Sequence, residues 1–241
     1  VLEVRDISKW FGGNPVLHDI TFRIEQGEVV GLIGPNGAGK TTLFNVLSGF
    51  YRSKTGAIRF KGEEISRLNP EDICRKGLCR TFQITKPFSN LTVFNNVVIG
   101  ALSRERGIRQ AEKKADEILD LVGMTSKRDL LGRSLTIADR KRLEVARALA
   151  TSPDLLLLDE VMAGLNPNEL KGMIDLVKRL TELGITLFVI EHIMTVIMGI
   201  SDRIIALDHG ELICEGPPKK VADDPKVLKA YLGEDYVAAQ G

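Results

Sequence analysis

Eight residues, Gly34-Pro35-Asn36-Gly37-Ala38-Gly39-Lys40-Thr41, follow an apolar stretch from Glu28 to Ile33 and lead into a helical pattern from Lys40 to Leu47 that closes at Gly49. They match G-x-x-x-x-G-K-[ST], and they do so between a strand and a helix, where the motif has a mechanical meaning. Glycines let backbone N–H groups turn inward around an anion, and the helix amino terminus adds a partial positive charge. Lys40 is placed to meet β- and γ-phosphates, and Thr41 to offer a hydroxyl to Mg²⁺. The candidate nucleotide-binding residues are therefore Gly34, Pro35, Asn36, Gly37, Ala38, Gly39, Lys40, Thr41 and Thr42.

The rest of the chain supplies a body for this loop. Leu2 to Ile7 and Val16 to Ile24 alternate apolar and polar residues on either side of Gly12-Gly13-Asn14-Pro15, which predicts two antiparallel strands outside the central sheet, joined by a turn. Thr55 to Phe60 is a further short strand, and Pro70 to about Ala150 reads as mostly helical. Ala111, Ala115, Ile118, Leu119 and Val122 fall at helical spacing and must dock on something. Leu155 to Leu158 are four consecutive leucines, the pattern of a parallel strand buried on both faces. A second amphipathic helix (Leu170, Met173, Ile174, Val177, Leu180) and a second buried strand (Thr186 to Ile190) follow, so the β-α-β rhythm predicts a doubly wound α/β sheet with ligands at the strands' carboxyl ends. Arg203 to Leu207, Glu211 to Cys214 and a charged helical tail from Pro225 complete the chain.

Composition narrows the function classes. Hydrophobic residues at 44% and charged residues at 27% exclude disordered and fibrous chains, and 33 basic against 32 acidic residues, a formal charge of +1, remove the general argument for nucleic-acid or anionic-lipid binding. Cys74, Cys79 and Cys214 make no disulfide framework or zinc pattern and read as packing thiols in a reducing compartment. Val1 to Trp10 builds no apolar run, so we expect no signal peptide and a cytosolic chain. Leu187 to Ile200 is interrupted by Glu191 and His192 and falls short of the roughly 20 apolar residues of a membrane span.

A nucleotide site needs a second Mg²⁺ anchor, and Asp159 at the end of the leucine strand is the natural one. Glu160, next to it, is the candidate general base for an attacking water. With these residues in place the chain resembles, over essentially all 241 positions, the nucleotide-binding subunit of an ATP-binding cassette transporter. That resemblance implies a P-loop NTPase core with a mostly parallel sheet (1–82 and 151–241), an antiparallel β subdomain and an inserted α-helical subdomain (about 83–150). It implies ATP and Mg²⁺ as ligands. Phe11 takes the place of the aromatic that stacks on adenine, with Trp10 as the competing choice. Gln83 matches the glutamine that touches Mg²⁺ or water and links the ATP site to the membrane subunit, and His192 matches the histidine that contacts the γ-phosphate.

The signature segment departs from the family. Its L-S-G-G-Q positions hold Leu135-Thr136-Ile137-Ala138-Asp139, so both glycines are gone and Asp139 is expected to bring negative charge near the partner's γ-phosphate. In the D-loop, Asn166 stands where an aspartate is common. Arg80-Thr81-Phe82-Gln83, the segment Phe88 to Val97, Met162 to Pro167 and Ala230-Tyr231-Leu232-Gly233 are similar to the ATPases of branched-chain amino acid importers. The resemblance implies two permease subunits, a second ATPase chain in a homo- or heterodimer, a substrate-binding protein met only indirectly, no nucleic acid, and a place at the cytoplasmic face of the membrane held through the permeases. Three alternatives stand beside it: a lipopolysaccharide-type export ATPase, a soluble non-transport cassette, and a regulatory subunit that binds ATP without hydrolysing it.

Overall fold

The computed structural model describes residues 1–82 and 87–232. Two sheets and nine α-helices, counted among those residues, organise the chain. Strands β1 (Leu2–Phe11), β2 (Asn14–Ile24), β4 (Thr55–Phe60) and β5 (Glu63–Glu64) form an antiparallel sheet in the order β2-β1-β4-β5. Strands β3 (Val29–Ile33), β6 (Leu78–Arg80), β7 (Leu155–Asp159), β8 (Thr186–Ile190), β9 (Arg203–Asp208) and β10 (Glu211–Gly216) form the second sheet in the order β10-β9-β3-β8-β7-β6, parallel throughout except for β10. The helices are α1 (Lys40–Leu47), α2 (Pro70–Lys76), α3 (Val93–Ala101), α4 (Ile108–Leu121), α5 (Ile137–Ala150), α6 (Pro167–Glu182), α7 (Met194–Ile200), α8 (Pro218–Ala222) and α9 (Pro225–Leu232).

The parallel sheet divides the interior into two cores. Leu156, Leu158, Leu187, Val189, Ile204 and Ala206 point to a cluster shared with α3 through α7, whereas Leu155, Leu157, Phe188, Ile190, Ile205 and Leu207 point to one shared with α1 and the antiparallel sheet. Successive side chains of a strand face opposite ways, so a strand covered on both sides needs an apolar residue at every position. That is why the leucine run does not alternate.

Two expectations change in detail. Asn14 and Pro15 lie within β2, opposite Phe11 and Trp10, and the turn is Gly12-Gly13 alone. Gly12 adopts φ 59°, which lets two residues reverse the chain, and Pro15 is tolerated because β2 is an edge strand. Within the stretch read as helical, Leu78–Arg80 forms β6 at the other edge of the parallel sheet, paired with β7. The apolar face of α4 is used internally: Ala111, Ala115, Ile118 and Leu119 are buried in the same cluster as α3, α5 and the sheet. No helix among the described residues is long and apolar enough to cross a membrane.

Candidate functional site

The phosphate loop leaves β3 and is wedged against the β9–β10 hairpin. Gly34 sits at φ 152°, and a Cβ there would lie 2.2 Å from the Leu207 carbonyl oxygen, so only glycine fits. Gly210 N–H donates to the Ala38 carbonyl (3.1 Å) and His18 N–H to the Gly210 carbonyl (2.8 Å), which ties loop, hairpin and β2 together. Lys40 opens α1 and is buried, with its Nζ donating to the carbonyls of Gly34 (2.6 Å) and Pro35 (3.0 Å). Burial lowers its ammonium pKa, while Glu160 and Asp159 pull it back up, so the lysine feels both carboxylates. Asn36, Gly37, Ala38, Gly39, Lys40, Thr41 and Thr42 line a cavity of about 320 Å³ together with Val16, Glu160 and His192.

Asp159 ends β7 and is fully buried. Its Oδ2 accepts from Arg80 (2.7 Å), and its Oδ1 has no partner among the described residues. Burial raises its pKa and the Arg80 guanidinium opposes the rise. An acceptor left over in this place, with the exposed Thr41 at the start of α1, fits a hydrated hard cation that a nucleotide's own oxygens would complete. Glu160 follows in the left-handed region at φ 52°. Its Oε1 lies 2.6 Å from Nε2 of His192, which follows β8 by two residues. A carboxylate and an imidazole in contact at the mouth of a phosphate cradle can share and move a proton, which is what activation of an attacking water requires.

The remaining sequence candidates that the structure describes do not line this cavity. Phe11 and Trp10 close β1, each about half exposed. Phe11 meets Tyr51 edge-on at 5.1 Å, while the Lys54 ammonium covers the Trp10 face at 3.9 Å. Neither ring lines the cavity. Gln83 lies outside the described residues. Thr136 is the N-cap of α5, its Oγ1 accepting from Asp139 N–H (3.2 Å). Ile137 is exposed and Ala138 buried. The Asp139 carboxylate is buried and paired with Lys127, which offsets its charge within the chain. Asn166 caps α6 in a reciprocal capping box with Glu169. Its side-chain oxygen is committed to that cap.

Comparison with known proteins places this geometry. An ABC transporter family model matches residues 17–163, well over half of the chain. The chain belongs to the ATP-binding cassette family. It is an ATPase of that family, and residues 211–237 additionally match a branched-chain amino acid ATP-binding cassette transporter model. It is similar to the high-affinity branched-chain amino acid transport ATP-binding protein BraF of Pseudomonas aeruginosa, with 38% identity over 97% of this chain and 98% of that one. It is 32% identical to the lipopolysaccharide export system ATP-binding protein LptB of Haemophilus influenzae, over 98% of both. Among solved structures it resembles the ADP conformation of an ATP-binding cassette of an ABC transporter, with a TM-score of 0.88, 30% identity, and coverage of 97% of this chain and 99% of that one.

Three residues serve this cassette that the motifs did not single out for the site. Arg80, buried, spans Asn45 Oδ1 (2.7 Å) and Asp159 Oδ2, linking α1 to the acidic end of β7. Lys141 of α5 donates to the Glu160 carbonyl (2.7 Å). Tyr231 of α9, inside the segment that matches the branched-chain model, accepts from the Gly34 N–H at 2.7 Å. Tyr231 carried a sequence signal only as part of the Ala230-Tyr231-Leu232-Gly233 run, and Lys141 carried none.

Proposed function

We propose that this cassette hydrolyses ATP to drive an importer of branched-chain, hydrophobic amino acids. The observation that carries the catalytic half is the Glu160–His192 contact at 2.6 Å, facing Lys40, Thr41 and Thr42 across one cavity. The transport half is supported by the 211–237 match and by the greater identity to BraF than to LptB.

In this reading the loop from Gly34 to Thr42 binds the phosphates, and Lys40 exchanges the Gly34 and Pro35 carbonyls for β- and γ-oxygens. Thr41 and Asp159 would hold Mg²⁺, to which Gln83 is assigned as well. The cation, when bound, neutralises the charge between the β- and γ-phosphates. Glu160 accepts the proton of an attacking water, and His192 orients Glu160 and meets the γ-phosphate. Phe11 is our candidate for the adenine, since the Lys9 ammonium stands off its ring at 4.9 Å whereas Lys54 covers the Trp10 ring at 3.9 Å.

The chain would act as half of an ATP sandwich with a second cassette, docked on two permeases at the cytoplasmic membrane face. The permease contact is assigned to the sequence around Gln83 and Phe88; Phe88, Ile99 and Leu102 are exposed apolar side chains. We assign the partner cassette as a different chain with an intact L-S-G-G-Q, because Ile137 and Ala138 replace the two glycines that offer N–H groups at closest approach.

Glu160→Gln tests the mechanism. The variant should bind ATP with unchanged affinity and turn over ~10²- to 10⁴-fold more slowly in the assembled transporter. Near-normal phosphate release would remove Glu160 from the role. Uptake of radiolabelled leucine by vesicles containing both permeases and both cassettes tests the transport assignment, and ATP turnover that no branched-chain amino acid stimulates would count against it.

A further inference from the structure

Away from the phosphate loop, a second cavity of about 430 Å³ is lined by Cys74 in the last turn of α2 and by Cys79 in β6, with Phe82, Ile99, Arg147 and Thr151 around them. The two sulfurs are 3.2 Å apart, inside van der Waals contact. We propose that Cys74 and Cys79 are a redox-active dithiol, which small-molecule disulfides of the glutathione type oxidise reversibly to an intramolecular disulfide.

The surroundings give the thiols separate roles. Both line the cavity, but Cys74 is only half-buried and Cys79 is buried, so we assign Cys74 as the sulfur an oxidant meets first. The Thr151 hydroxyl donates its one proton to the Ala148 carbonyl (2.7 Å), so its oxygen accepts the Cys79 S–H at 2.8 Å. When Cys74 ionises, that S–H turns to the thiolate instead. The Cys79 hydrogen bond is the main cause that holds Cys74 down to about 6, against burial and with help from the Arg104 and Arg75 guanidinium groups. The same contact, with burial, pushes Cys79 up. Two sulfurs in contact, the more exposed one favoured as the thiolate and the buried one as the thiol, suit an attacking and a resolving cysteine.

The chemistry closes without further reagents. The Cys74 thiolate attacks one sulfur of the glutathione disulfide, forming a mixed disulfide as the old S–S bond breaks and one glutathione thiolate leaves. Cys79 gives up its proton to that thiolate, attacks Cys74 Sγ and expels the second glutathione. Two protein thiols are oxidised, and one disulfide is reduced to two thiols. The sulfurs must approach by about 1 Å to reach a bond near 2.05 Å. Two structural features allow it: β6 is a three-residue edge strand with a neighbour on one side only, and α2 has just seven residues.

Glutathione disulfide applied to the full chain, followed by intact-mass measurement and peptide mapping, tests this. We expect the chain to lose two hydrogen masses, a Cys74–Cys79 linked peptide, free Cys214 and full reversal by dithiothreitol. At neutral pH, iodoacetamide should label Cys74 at least ~10-fold faster than Cys214, whose thiol burial raises. Cys79→Ser should stop at a persistent glutathione adduct on Cys74. Cys74→Ser, at the more accessible position, should form neither disulfide nor adduct at Cys79, and it serves if the first variant does not fold. A persistent adduct on Cys74 in the unsubstituted chain, equal labelling of Cys74 and Cys214, or thiols that survive excess oxidant would overturn the proposal.

Discussion

Glu160 adopts φ 52° because its neighbours hold it there: its N–H donates to Ile190 O (3.0 Å), Lys141 binds its carbonyl, and Glu191 accepts from Met162 N–H (2.7 Å) two residues on. A left-handed residue without glycine costs about 1–3 kcal/mol and persists only where its surroundings over-determine it. Glu191 does this work from the interior. Burial pushes its carboxyl up to about 7, partly opposed by the Met162 N–H and by Lys141, and burial likewise brings Glu144 to about 7. Between pH 4.5 and 7 each of these acids holds a proton that the unfolded chain has released, so stability falls as pH rises through that window and levels off above it. At about 1.4 kcal/mol per pH unit, each group contributes up to about 3 kcal/mol to the fall. Glu191→Gln, with denaturant melts at pH 5 and pH 7.5, should therefore show a shallower loss than the parent. An unchanged slope would mean that Glu191 is ionised in the folded state. Tyr231→Phe addresses the loop itself. Removing one acceptor from the Gly34 N–H should weaken ATP binding by about 1 kcal/mol, or roughly fivefold, with kcat less affected than KM. Titration calorimetry with ATP checks the affinity, and equal binding would show that Gly34 is held by Leu207 packing alone.

At the scale of elements, α5 joins the altered signature to the catalytic strand. Thr136 caps its first turn, Lys141 supports Glu160 from its second, and Glu144 accepts from the Phe82 N–H where the chain leaves β6. Loss of that cap should be felt along the helix. Thr136→Ala is expected to destabilise the chain by about 1 kcal/mol, a Tm lower by roughly 2–4 °C in a chain of this size, measurable by calorimetry; a Tm within error of the parent would show the cap to be dispensable. The elements also show what pattern alone could reveal. The leucine strand and α1 were readable because burial on both faces and a strand-loop-helix order leave marks on neighbouring residues. Strand β6 was not, because three residues between helical stretches carry no periodicity and become a strand only by pairing with β7.

For the whole molecule, the described groups that we assign to the phosphates lie at one end of the parallel sheet, where β3, β7 and β8 deliver the loop, Asp159-Glu160 and His192. Ile137 opens α5 and Asn166 caps α6, the two helix starts that we assign to the face of a second chain, and both side chains are uncharged. With Glu160→Gln to slow turnover, the chain in ATP should remain monomeric alone and form a one-to-one dimer when mixed with a cassette bearing an intact L-S-G-G-Q. Sedimentation velocity separates the cases, and an ATP-dependent homodimer would discard the heterodimer assignment. Local order settled the phosphate loop, the buried strands and the candidacy of Asp159 and Glu160, because backbone geometry and side-chain periodicity act over a few residues, whereas His192 became a candidate only through the family resemblance. Only the tertiary structure decided that Arg80 backs Asp159 from 79 positions away, that Tyr231 holds Gly34 across 197, and that Lys127 pairs with Asp139. Those choices depend on which elements pack side by side, and a hydrogen-bonding side chain carries no record in its own neighbourhood of the partner that folding will bring to it.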